Sequence, residues 1–301
     1  MTRLRLELHN NNDTATYTVL KTRIITALIL APIAIGGIFF LPPLGFALFT
    51  GAIIALGAWE WANMASIEGQ PGRVVYALAV AALLYLVWLL KLPAVPLLWL
   101  AVIWWLVCFW LVRRYPAGSD TWGTVPLRAL MGLFVLVPAW VGLNHLRTGG
   151  VQFGEVSSNL IVIVYIFFVV WVADIGAYFA GRAFGKAKLA PKVSPGKSWA
   201  GVWGGLVAVA LLAVVASVLA AASVTETVLL IAATLLTGFV SVLGDLLESM
   251  LKRFRGIKDS SQLLPGHGGI MDRVDSLTAA IPVFALMITL LGWLTTGHWS
   301  L

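Results

Sequence analysis

The sequence predicts an all-α polytopic membrane protein of about nine transmembrane helices, and three observations lead there. Of its 301 residues 60% are hydrophobic and 11% charged, whereas a soluble domain carries about a quarter charged residues. Apolar runs of about 20 residues, long enough to cross a hydrocarbon core of about 30 Å, recur along the chain. These runs are continuous, without the alternation of a membrane β-barrel. In lipid every backbone amide must be satisfied within its own segment, so each run is helical.

Taken in order, the spans are 23–41, 44–63, 74–91, 93–112, 126–145, 158–181, 199–222, 226–251 and 275–297. Residues 1–22, with His9, Asn10, Asn11 and Asn12, are polar and read as a flexible cytoplasmic tail. The first run follows Lys21 and Arg23 and ends in Leu41-Pro42-Pro43, not in a small-residue cleavage site, so an uncleaved anchor is expected. Residues 23–150 then hold about five N-terminal helices, and residues 151–301 about four helices that carry the chemistry. The early spans are rich in Leu, Ala and Trp. Trp104, Trp105 and Trp110 read as interface anchors or packing, and Glu60 as a helix-pairing acid. Cys108 is the single cysteine, which excludes a disulfide within the chain and reads as a buried small hydrophobe.

Charge sets the orientation. The net charge is +7, and its distribution argues against nucleic acid as the partner. With nine spans and an internal N-terminus, 18 of the 20 basic residues fall on internal segments, and only Lys91 and Arg147 fall outside. This is the positive-inside pattern, with the N-terminus cytoplasmic and the C-terminus periplasmic or external. The same excess makes the cytoplasmic face attractive to anionic headgroups and nucleotides. The two longest charged interruptions of the second half are 182–198 and 252–274.

Residues that cost energy in lipid gather around those interruptions. Thr237, Ser241, Asp245, Glu248 and Lys252 share one helical stripe. A carboxylate within a membrane helix costs several kcal/mol unless it is paired or metal-bound, which makes Asp245 and Glu248 functional candidates; a Glu248–Lys252 salt bridge is the structural alternative. Asp174, Tyr178 and Arg182 likewise share a face, among the small residues Gly176, Ala177, Ala180 and Gly181 that allow close helix approach. Asp174 is either a second acid lining the same cavity or an Asp–Arg helix contact.

The segment Ser194-Pro195-Gly196-Lys197-Ser198 holds a Gly-Lys-Ser triplet. A P-loop needs glycine at position 191, which is Pro191, and no strand is expected before it. What remains is a short basic loop opening a helix, with Ser194, Lys197 and Ser198 available to phosphate oxygens. From Ser249 to Asp275 the signal is strongest. Lys252, Arg253, Arg255 and Lys258 put four cations at the membrane face, and Pro265-Gly266-His267-Gly268-Gly269 supplies backbone that can approach a phosphate. Asp272, Arg273 and Asp275 open the last helix. Carboxylates beside a glycine turn and a cation cluster suit a metal–triphosphate complex.

At this stretch the chain resembles the phosphatidate cytidylyltransferases, the CDP-diacylglycerol synthases. Their pattern is S-x-x-K-R-x4-K-D-x-[GSA]-x2-[LIF]-[PGS]-x-H-G-G-x-x-D-R-x-D. Ser249, Lys252, Arg253, Lys258, Asp259, Ser261, Leu264, Pro265, His267, Gly268, Gly269, Asp272, Arg273 and Asp275 fill every fixed position. Asp174 within DIGAYFAGRAFG and the SPGKSWAG segment also resemble family blocks, although the family usually has a basic residue at Gly196 and an acid at Ala200. The resemblance covers about residues 165–276. It implies a multi-pass enzyme of the cytoplasmic (inner) membrane, facing the cytoplasm. Such an enzyme condenses CTP with phosphatidic acid, contacts membrane lipid and works as a homodimer. It implies Mg²⁺, alone or with K⁺, on Asp245 and Asp272. Lys197 and Asp174 join these two as catalytic candidates. Ser194, Ser198, Ser249, Lys252, Arg253, Lys258, His267, Gly268, Gly269 and Arg273 are the expected substrate-binding set.

Three rival readings stand against this one, the blandest a membrane scaffold, which the acids within helices disfavour. A CDP-alcohol phosphatidyltransferase carries a D-G-x-x-A-R motif that the chain lacks. An ion-coupled transporter would use Asp245 and Asp174 within the membrane, but such proteins show repeated halves and helices broken at mid-membrane.

Overall fold

A computed structural model describes residues 25–295 except residue 27. The tail 1–22, the start of the first span and the last two residues of the ninth expected span lie outside the described residues. Among the described residues the chain forms α1 (Leu28–Phe40), followed by α2 (Pro43–Met64), α3 (Gln70–Leu89), α4 (Ala94–Arg114), α5 (Val125–Thr148) and α6 (Asn159–Phe184). A two-stranded antiparallel hairpin comes next, β1 (Lys188–Ala190) with β2 (Ser194–Ser198), and then α7 (Trp199–Leu219), α8 (Val224–Arg255) and α9 (Met271–Leu290). Eight helices, α2 to α9, are long and apolar enough to cross a membrane, and α1 is shorter within the described residues. The protein is a multi-pass membrane protein.

Local chemistry explains the boundaries. Proline stands in the first turn of α2, α3 and α5, where its missing N–H would have had no helical partner. Ser223 and Glu226 form a reciprocal capping box at the start of α8, a feature worth about 1 kcal/mol. Gly256 ends α8 in the left-handed conformation at φ 77°. That stop lies beyond the expected end at 251, so Lys252, Arg253 and Arg255 are helical. At 32 residues α8 is about 48 Å long, more than a hydrocarbon core spans, and its last turns carry the basic cluster out of it.

The helices alternate in direction, and the loops meet at two ends. At one end Asn63 bonds the Ser260 carbonyl, Arg128 bonds Ser66 and covers the Phe254 ring, and Arg253 reaches the Val193 carbonyl. At the other end Arg147 donates to the Leu41 carbonyl, Gln152 pairs with Trp293, and Glu155 pairs with Ala220. Every described basic residue except Lys91 and Arg147 belongs to the first end or to the helix turns beside it.

One apolar core runs through both halves of the chain, and its fully buried side chains include Trp61, Leu136, Ile163, Leu247 and Phe284. Outward faces stay apolar as well: Leu78, Leu106, Phe179, Trp203 and Leu211 are exposed, as a hydrocarbon solvent requires. Trp105 is packed inside, whereas Trp110 is exposed and carries the Arg114 guanidinium 4.4 Å above its ring. Cys108 is buried and free.

α6 and α7 pack closely along a seam where small residues face each other. A Cβ on Gly205 would meet the Ala173 carbonyl at 2.8 Å, one on Gly201 the Ala177 carbonyl at 3.0 Å, and one on Gly204 would collide with Ala180. Because lipid gives helices no hydrophobic reason to associate, such intimate van der Waals contact is what holds them together.

Candidate active site at the basic end

The site lies where α6, the hairpin, α7, α8 and the start of α9 converge. The Ser194–Ser198 segment, expected as a loop, is strand β2 itself, and it runs directly into α7. A P-loop is therefore absent for a further reason: between strand and helix there is no loop to wrap a phosphate. The hairpin turn lets β2 lie over α8, and Lys197 reaches Asp245 Oδ2 at 2.6 Å. Asp245 also accepts from Ser249 Oγ at 3.1 Å. Its side chain keeps 32% of its surface open, against 25% for Lys197.

Asp174 does not pair with Arg182, whose guanidinium faces Tyr178 Oη at 3.4 Å. It lines a cleft of about 380 Å³ between α6, β2, α7 and α8, together with Arg182, Lys197 and Ser198. There it lies within electrostatic reach of both Lys197 and Asp245. Glycines 181, 201, 205 and 238 line this cleft too, so the small residues that bring the helices together also leave its walls open.

Lys252 does not extend to the surface. Its ammonium bridges Glu248 Oε2 at 2.8 Å and Asp272 Oδ1 at 2.6 Å, so the Glu248–Lys252 pair is real but serves as one half of a bridge to α9. Asp272 Oδ2 accepts from Gly269 N at 2.7 Å, Ser260 N at 2.9 Å and Ser260 Oγ at 2.9 Å. Asp275 stands one turn further along α9, within electrostatic reach of Glu248 and Asp245. The stripe predicted on α8 is formed, with Thr237 and Ser241 turned inward and donating to their own helix backbone.

The expected substrate-binding residues divide into two groups. Lys258, Arg253 and Arg273 are exposed. Arg273 donates twice to the His267 carbonyl, at 2.9 and 3.1 Å, and braces the glycine loop. His267 Nδ1 is buried without a hydrogen-bond partner. Ser249 donates to Asp245 and Ser198 caps α7 by accepting from Gly201 N at 3.2 Å, so both hydroxyls serve the scaffold of the site. Ser194 sits opposite Ala190 in the hairpin. Gly268 adopts φ +80°, and a Cβ there would meet Asp272 Oδ2 at 2.7 Å. Glycine at this position is what allows the loop to pass the carboxylate.

The carboxylates of the site form a donor set suited to a divalent cation. Asp174, Asp245, Glu248, Asp272 and Asp275 outnumber the two ammoniums among them, Lys197 and Lys252. Glu248 Oε1 is buried with no donor facing it, and the Glu248 side chain lies against the Asp275 carboxyl. Surplus anionic oxygens of this kind fit a hard, oxygen-seeking ion. Among the described residues no group of three or more His, Cys, Asp or Glu side chains is arranged as a complete metal cage, so any ion here would complete its coordination with substrate or water oxygens, as Mg²⁺ usually does.

The model of the cytidylyltransferase family matches residues 21–291. The chain belongs to this family. Its similarity to curated members is extensive. It is 50% identical to a phosphatidate cytidylyltransferase of Pseudomonas aeruginosa over 91% of this chain and 99% of that protein. It is 40% identical to one from Haemophilus influenzae over 89% and 98%, and 37% identical to one from Brucella suis over 89% and 92%. Family membership extends the resemblance well beyond residues 165–276, into helices that hydropathy alone had characterised. The transporter alternative finds no support in it, and α5 and α9 continue through Pro138 and Pro282 without a break at mid-span.

Two features of this cytidylyltransferase-family site were missed in the sequence. Glu60, expected to pair two helices, does join α2 to the first turn of α9, and beyond that expectation it also holds the loop before α9. Ser260 occupies a variable position of the pattern but holds Asp272 through both backbone and side chain. The available signal was an acid inside an apolar span with Asn63 one turn away on the same face.

Proposed function

We propose that this protein transfers the cytidylyl group of CTP to phosphatidic acid, giving CDP-diacylglycerol and pyrophosphate for phospholipid biosynthesis. The observation that carries this reading is the convergence of the 27-residue pattern Ser249–Asp275. Its distant positions Lys252 and Asp272 meet at 2.6 Å, beside a cleft lined by Asp174 and Lys197.

The nucleophile is the phosphate of phosphatidate. A phosphomonoester has a second pKa near 6, so it is largely dianionic at pH 7 and needs no general base. One of its oxygens bonds to the α-phosphorus of CTP while the bond to the bridging α–β oxygen breaks, and pyrophosphate leaves with that electron pair. The obstacle is repulsion between two polyanions. Lys197, Arg253, Lys258 and Arg273 supply cationic contacts to both, and Asp174 steadies Lys197 from the cleft wall. Lys252 holds the Asp272 carboxylate in place. Asp245 and Asp272 would hold Mg²⁺, alone or with K⁺, which when bound neutralises triphosphate and leaving-group charge. Positioning and charge neutralisation account for the rate.

The reading places the protein as a homodimer in the cytoplasmic (inner) membrane, with its basic end in the cytoplasm. The positive-inside distribution supports that orientation, and bacterial relatives support that membrane. Purified protein incubated with radiolabelled CTP, phosphatidate and Mg²⁺ tests the function. Label should move into the organic phase, and its failure to do so rejects the reading.

A further inference from the structure

Glu60 is a carboxylate near the C-terminal end of α2 with 0% exposure, in a helix that otherwise looks like plain scaffold. Its Oε1 accepts from Ser261 Oγ at 2.6 Å and Ile270 N at 2.9 Å. Its Oε2 accepts from Met271 N at 2.6 Å and Ser260 Oγ at 3.2 Å. Each of these partners is a neutral donor, two of them backbone amides at the start of α9, where the helix dipole favours negative charge. Glu60 thus caps α9 from another helix, in place of the local side chain that α9 lacks. Asn63 adds a bond to the Ser260 carbonyl at 2.9 Å, so α2 grips residues 260 and 261 from two positions one turn apart.

The link to the reacting groups is Ser260. Its hydroxyl lies 2.9 Å from Asp272 Oδ2 and 3.2 Å from Glu60 Oε2. A hydroxyl carries a single hydrogen, so it donates to one carboxylate while both acids remain within contact of the same oxygen. Gly269 closes the arrangement, because a Cβ there would collide with Ser260 Oγ and approach Glu60 Oε1 to 2.6 Å. The glycine of the pattern is therefore required by a residue of α2 and by Ser260.

We propose that Glu60 is a positioning residue for cytidylyl transfer: through Ser260 and the first turn of α9 it fixes the direction of the Asp272 carboxylate. This rests on the role given to Asp272 above. Glutamate is specifically suited, because two backbone amides and the Ser261 hydroxyl donate to it, with the Ser260 hydroxyl shared between it and Asp272. Glutamine would turn an NH₂ group toward donors, and aspartate would fall one methylene short.

The test compares Glu60→Gln, Ser260→Ala and Asp272→Asn in purified protein. Turnover is measured per folded molecule, folding by thermal unfolding in detergent, and loop order by amide hydrogen exchange of residues 259–272. Glu60→Gln should lower kcat about 100-fold, in the range of a lost preorganising contact, with KM for CTP and phosphatidate changed less than about threefold. Exchange over 259–272 should rise, and Glu60→Gln should add nothing further in the Asp272→Asn background. Ser260→Ala should give a kcat loss of about tenfold and carries the same test if Glu60→Gln does not fold. A folded Glu60→Gln protein with a lowered melting temperature but wild-type kcat would overturn the proposal and leave only a structural cap. Multiplicative losses with Asp272→Asn would overturn it too. If the wild-type protein itself yields no lipid-extractable label, the functional reading fails first, and that result is distinct from an active wild type with an equally active Glu60→Gln variant.

Discussion

Lys252 Nζ and Asp272 Oδ1 lie 2.6 Å apart across 20 residues of chain, and this contact closes the basic loop over the ends of α8 and α9. The same ammonium holds Glu248 at 2.8 Å. A lysine that sequence reasoning offers to a substrate phosphate is, in the fold, paired with two acids. Removing either partner of a buried pair leaves the other charge uncompensated, so substitutions here should act on catalysis and on local order together.

Asp272→Asn keeps the size of the side chain and removes its charge. Turnover should fall about 10²–10³-fold, the scale of a lost electrostatic contact in a preorganised site, while the protein still inserts in the membrane. Label transfer from CTP into lipid measures it, and near-normal turnover would remove Asp272 from the mechanism. Lys91→Ala, at the opposite end, should leave turnover unchanged.

Lys197→Met removes the ammonium that faces Asp245 at 2.6 Å while keeping most of the side-chain volume. The expected loss in kcat/KM for CTP is roughly 100-fold, or about 2.7 kcal/mol of transition-state stabilisation. A change of less than threefold would assign Lys197 to topology alone.

Gly204→Leu tests the α6–α7 seam. A side chain at 204 would run into Ala180 and lie 3.0 Å from the Gly176 carbonyl at its Cβ. Overpacking costs about 1–3 kcal/mol and more where backbone cannot move, so thermal unfolding in detergent should shift clearly downward. Gly196→Ala, with nothing within 4 Å of the new Cβ, should melt as the wild type does.

Orientation can be read with thiols, because Cys108 is free but buried. Lys186→Cys should react with a membrane-impermeant maleimide only when the cytoplasmic face is opened, and Lys91→Cys should react from outside in intact cells. The reverse pattern would invert the topology.

Much of this protein was legible in its sequence. Continuous apolar runs can only be helices in lipid, because unsatisfied backbone is too costly there, and the eight long helices α2 to α9 follow from that. Asp245, Lys252, Asp272 and the glycine loop stood out because charges and glycines beside membrane helices are expensive or permissive enough to need a reason. What composition and spacing could not supply was which charged group meets which. Lys197 meets Asp245 because Ser194–Ser198 is a strand laid over α8, and pairing between chain segments is a tertiary fact. Glu60 joins α9 across 211 positions of sequence. Helical periodicity reports a residue's face on its own helix and says nothing about the element packed against that face, so only the fold could show a carboxylate of α2 capping the helix that carries Asp272.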